Sequence, residues 1–119
     1  MKLLLDVHVA KAGIGALRRV ATRVQAEHLS QWRGGAFLRA DDGEILGACH
    51  AEKRMFLTYD MATIPDLLRR WMAGDRAHSG VIFADGNTVR PNAPAEVAAA
   101  IAAIAGEIGD ADTTNLVLY

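Results

Sequence analysis

The feature that most constrains this chain is a regular alternation of short apolar runs with segments of helical spacing. Lys2–Leu5 is an apolar run that stops at Asp6 and reads as a buried parallel strand. Residues 9–20 place Ile14, Leu17 and Val20 on one helical face, and residues 21–27 read as a second strand centred on Val24. Residues 27–40, with Trp32, Gly34 and Gly35, form the one long irregular segment, and such loops in compact domains are usually functional or mobile. A helix is predicted from Asp41, because Asp41 and Glu44 have capping-box spacing and Ile45, Leu46 and Ala48 follow as its apolar face. Residues 54–58 make a third strand that ends just before Asp60. Residues 63–73 make a helix with Pro65 in its first turn and Ile64, Leu67, Leu68 and Trp71 at helical spacing. Residues 80–84 are a fourth strand and 85–87 a turn. Asn92 is placed to cap an alanine-rich helix running to Ile108, with Pro94 in its first turn, and residues 115–119 close the chain as a fifth strand.

Strictly alternating strands and helices predict an α/β fold with a parallel sheet covered by helices on both faces. At 119 residues the chain fits one domain, 1–119. The aromatic content is only two Trp, two Tyr and three Phe, so close helix packing through alanine is expected to fill much of the core. The net charge of −1 gives no global attraction to nucleic acid or anionic lipid. No apolar run approaches the roughly 20 residues that span a bilayer, so no membrane association is expected. Cys49 is the only cysteine, which excludes a disulfide framework and a cysteine zinc site and fits a reducing, cytoplasmic setting.

The chemistry concentrates in aspartates. Ligands of open α/β sheets bind outside the carboxyl ends of the strands, near the switch point of the strand order. Asp6 ends strand one, Asp60 follows strand three, and Asp42 lies in the first turn of the helix between them. Converging carboxylates repel one another and need a proton, a basic neighbour or a cation. Mg²⁺ or Mn²⁺ suits such oxygen donors, and a bound divalent ion activates water for attack on a phosphodiester. Strand-ending aspartates also occur simply because loops are polar, Asp42 also suits the helix dipole, and Glu44 reads more as a cap than as a ligand. His8 and Thr58 are accessory candidates beside the acids. Trp32 and Arg33 suit stacking on and clamping single-stranded RNA, and Arg69 and Arg70 suit phosphate. Each of these also has an ordinary reading as loop, strand or solvated helix face. His78 and Ser79 read as residues shaping the turn before strand four.

Four stretches in register resemble a known family. Residues 1–9 (MKLLLDVHV), 40–46 (ADDGEIL), 54–60 (RMFLTYD) and 78–83 (HSGVIF) are similar to motifs of the small bacterial PIN-like proteins, related to the toxin nucleases of the VapBC kind. The resemblance covers roughly residues 1–90. It implies a three-layer PIN-like fold with about five parallel strands flanked by helices, a Mg²⁺ or Mn²⁺ site, and hydrolysis of RNA. It also implies a cognate antitoxin as partner. By position, Asp6, Asp42 and Asp60 match the family's acidic residues. Val7 and Ala62 stand where many members carry further acids, and Asp66, one helical turn on, is a candidate substitute.

Two other readings compete with the metal-dependent endoribonuclease. A phosphoacceptor receiver module would use Asp60, but it needs a late lysine and no lysine follows Lys53. A PIN-like module without catalysis would use the fold for binding or assembly. The apolar positions Val97, Ile101, Ile104 and Ile108 would then support a homodimer, or simply belong to the core.

Overall fold

The computed structural model describes residues 1–119. The elements run β1 (Lys2–Leu5), α1 (Ala12–Val20), β2 (Gln25–His28), a 3₁₀ turn (Trp32–Gly35), α2 (Asp42–Ala51), β3 (Met55–Thr58), α3 (Ile64–Ala73), β4 (Val81–Phe83), α4 (Pro94–Ile108) and β5 (Val117–Leu118). All neighbouring strands are parallel, and the sheet order is β2-β1-β3-β4-β5. The α/β architecture and the five-stranded parallel sheet expected from the alternation are therefore present. No helix is long and apolar enough to cross a membrane.

Strand side chains alternate between the two faces, and the core divides accordingly. Leu4, Phe56, Val81 and Phe83 pack with Trp32, Ile45, Leu46 and Trp71, on the face covered by α2 and α3. Leu3, Leu5, Met55, Leu57 and Ile82 pack with Leu17, Val97 and Ile101, under α1 and α4. Val97, Ile101, Ile104 and Ile108 thus all serve the second cluster, Ile104 and Ile108 at its margin. The small side chains do allow close helix contact: a Cβ on Gly13 of α1 would lie 3.4 Å from Val97 of α4.

Local differences have physical causes. Residues 7–11 are a turn rather than the start of α1, because the Val9 N–H bonds Asp6 O and the Ala10 N–H bonds Pro91 O. The second strand occupies Gln25–His28, later than expected, pairing Lys2 with Gln25 and Leu5 with His28. Asn92 does not cap α4; the cap position is Ala93, which offers no side-chain acceptor. Half of the expected capping box forms. The Asp41 carboxylate accepts the Glu44 N–H at 2.8 Å, while the Glu44 carboxylate makes no return bond.

At the amino ends of the strands, buried Arg54 ties the sheet together. It donates to Leu3 O (3.0 Å) and Gln25 O (3.3 Å) and pairs with Glu52. At the carboxyl ends, β1 and β3 are adjacent while the chain leaves them in opposite directions, which opens the crevice typical of doubly wound sheets. Phe56, at the centre of β3, is 1% exposed. Phe56→Ala is expected to lower stability by about 3–5 kcal/mol, checked by denaturant unfolding.

Candidate functional site

The register Leu5↔Leu57 brings Asp6, the next residue on β1, alongside Thr58, the next on β3. The fully buried Thr58 hydroxyl donates to Asp6 Oδ2 at 2.7 Å and accepts the Asp60 N–H at 3.0 Å. Asp6 Oδ1 accepts the Val7 N–H at 2.7 Å. Asp60 in turn organises the start of α3. Its Oδ1 accepts the N–H groups of Ala62 (2.9 Å) and Thr63 (3.0 Å), and its Oδ2 accepts the Thr63 hydroxyl at 2.5 Å. The same hydroxyl lies 3.4 Å from Asp42 Oδ2, at the first turn of α2. Asp6, Thr58, Asp60, Thr63 and Asp42 therefore form one polar chain across the crevice between β1 and β3.

Asp6, Asp42 and Asp60 are thus brought together as expected, and Thr58 joins them. Their electrostatics differ. The Thr63 hydroxyl holds the Asp60 carboxyl below its ordinary range, assisted by two backbone N–H groups and the charge of His8. Partial burial pushes Asp42 up, and the charges of Asp60 and Asp6 add to the rise. His8 is exposed on the turn after Asp6.

Other candidates lie outside this chain of contacts. Asp66 does not substitute for a missing acid, because it faces Arg69 at 3.4 Å and Arg70 at 3.7 Å on the exposed side of α3. The Glu44 carboxylate has no bond to the group. Trp32 does not offer a stacking platform to RNA: it is 1% exposed, packs on Phe37 and points its Nε1–H at Glu52. Arg33 is held by Glu52 at 2.8 Å, beyond the last turn of α2 and therefore at the opposite end of that helix from Asp42. Arg69 and Arg70 remain exposed, one turn along α3 from its start at the rim.

Two residues of the site region were missed in the sequence. Thr63 stands at the start of a predicted helix, and a threonine three residues after an aspartate also fits a side-chain-capped turn. His28 is buried, with Nε2 2.8 Å from Val9 O and Nδ1 2.7 Å from the Ser30 hydroxyl, and it props the turn carrying Asp6 and His8. Its place at the end of a strand carried no such signal.

Carboxylate oxygens are the donors that Mg²⁺ and Mn²⁺ prefer. No group of three or more His, Cys, Asp or Glu side chains is positioned to hold a metal ion together. The arrangement is therefore not a closed cage. It fits a hydrated ion on the Asp42–Asp60 pair, since Mg²⁺ commonly keeps several waters and takes one or two carboxylates.

No protein-family model, curated protein or solved structure matches this chain.

The opposite shifts of the two carboxyls are testable by following their ¹³C resonances against pH. Asp60 is expected to titrate below its ordinary value and Asp42 above it, so Asp42 takes up its proton first as pH falls. The stability that Asp60 contributes is present above its ordinary value and lost as pH falls through the folded value. Asp42 behaves oppositely: its contribution is present below its ordinary value and lost as pH rises through the folded one. Thr63→Val should raise the Asp60 value; an unchanged Asp60 titration would show that the hydroxyl is not the cause.

Proposed function

We propose that this protein is a metal-dependent endoribonuclease whose site is Asp6, Asp42 and Asp60. The observation that supports this most is the meeting of the three carboxylates at the switch point of a parallel sheet, joined through Thr58 and Thr63. A Mg²⁺ or Mn²⁺ ion held by these carboxylates would supply an activated water and would offset charge developing on a phosphodiester. The chain's own residues set the stage for that ion. Thr58 and the Val7 N–H fix the Asp6 carboxylate. Thr63 and the N-terminal amides of the 62–63 turn keep Asp60 ionised. Asp42, on α2, closes the crevice from the other side. Arg69 and Arg70 supply positive charge for an RNA backbone next to an otherwise acidic rim.

The resemblance of four motifs to PIN-like toxin nucleases extends this reading to a cytoplasmic toxin with a cognate antitoxin as its protein partner. A second reading has a specific observation in its favour. With no three-ligand group in place, and with Val7 and Ala62 where further acids would stand, the rim also suits a PIN-like module that binds without cutting.

Purified protein should cleave single-stranded RNA with Mg²⁺ or Mn²⁺ and not with a chelator. Asp60→Asn and Asp6→Asn should each lower the rate by at least about a hundredfold. Undiminished cleavage by both variants would remove the site. No cleavage by the wild type, with Mn²⁺ still bound, would favour the binding module.

A further inference from the structure

A separate cleft lies on the α3 side of the sheet at the amino end of β4, away from the acidic rim. It has a volume of about 390 Å³ and is bounded by α3 from Pro65 to Met72, the 75–78 loop and the β5 segment. Its floor includes His78, which is 5% exposed. The Gly80 N–H donates to His78 Nδ1 at 3.1 Å, so the ring proton resides on Nε2. That Nε2–H has no hydrogen-bond partner in the protein, yet no completely occluded side-chain nitrogen or oxygen lacks a partner. The Nε2–H therefore keeps some accessible surface, and His78 is one of the residues that line the cleft.

The turn itself needs only Nδ1. Gly80 adopts φ +112°, and a Cβ there would meet Met55 at 2.8 Å, so the His78–Gly80 turn is tightly specified without use of Nε2. Two exposed arginines border the same cleft. Arg69 pairs with Asp66 at 3.4 Å, and the Arg76 guanidinium carbon lies 3.9 Å from the Trp71 ring centre with no carboxylate partner. Asp75 is the acid among the lining residues, and Asp66 faces Arg69 from beside them. Met72 and Tyr119, 71% and 83% exposed, supply an apolar rim that nothing in the chain covers.

We propose that this cleft binds a small organic anion, a carboxylate or phosphate ester carried on an apolar body. The His78 Nε2–H donates to the anionic oxygen, the arginines supply the countercharge, and Met72 and Tyr119 pack on the apolar part. Burial, with the charge of His50, holds the His78 ring below its ordinary pKa, so it serves as a neutral donor at neutral pH. The cleft shares only Arg69 with the nuclease reading, and none of the three aspartates of the acidic rim lines it.

The test is NMR titration of the full chain with phenyl phosphate and benzoate, using inorganic phosphate and benzyl alcohol as the anion alone and the apolar body alone. Both aromatic anions should shift the His78 side-chain resonances and bind at least about fivefold more tightly than either partial probe. His78→Asn keeps an acceptor for the Gly80 N–H but removes the Nε2 donor, and should weaken binding at least about fivefold. Arg69→Gln and Tyr119→Ala, both at exposed positions, should weaken it without disturbing the fold, and Asp60→Asn should leave it unchanged. The proposal is overturned if neither aromatic anion binds, if inorganic phosphate alone binds as well, or if benzyl alcohol alone binds as well. Binding that is indifferent to His78→Asn, Arg69→Gln and Tyr119→Ala would overturn it equally.

Discussion

The buried Thr58 hydroxyl is the contact on which the rim depends. It donates to Asp6 and accepts from the Asp60 backbone, so one atom couples the end of β1 to the end of β3. A hydroxyl is suited to this because it carries one donor and spare acceptor capacity, whereas valine, of similar shape, carries neither. The contact exists only because the β1–β3 register sets Asp6 level with Thr58. A slip of one residue in either strand would put the two side chains on opposite faces. That register is held in turn by two apolar clusters and, at the other end of the strands, by Arg54 bridging carbonyls of β1 and β2.

From this junction the acidic group is built outward. Asp60 accepts both N–H groups of the following turn and the Thr63 hydroxyl, so it caps the entry to α3 while facing the crevice. Asp42 enters from the opposite side because α2 begins there, its own start fixed by Asp41. The result is asymmetric: one carboxyl rich in donors and one short of them and beside like charges. An environment that separates two carboxyls in this way is a common preparation for proton handling or cation binding. His8, on the turn after Asp6, is the basic side chain whose charge reaches Asp60.

Much of this was legible in the chain. Strands ending at Asp6 and just before Asp60, with helices between, determine a parallel sheet whose carboxyl edge carries both acids. Asp42 follows from the position of the cap at Asp41. What escaped was long-range and side-chain specific. Trp32 sits in a loop where stacking on RNA and ordinary loop packing are both open, but it fills the core under α2, and Arg33 with it is committed to Glu52. Asp66 looked like a spare acid, yet two arginines on its own helix occupy it. The approach of Thr63 to Asp42 and the role of His28 depend on neighbours 21 and 19 residues away, which no local pattern encodes, although the Asp60–Thr63 turn is itself local.

Paramagnetic broadening by Mn²⁺ tests most directly the proposal that the Asp42–Asp60 pair binds a cation. In amide NMR spectra of the intact protein at substoichiometric Mn²⁺, broadening should centre on Asp6, Asp42, Asp60 and Thr63 and move away in Asp60→Asn. Broadening centred instead on the acidic stretch at Asp110 and Asp112, or absent altogether, would contradict it.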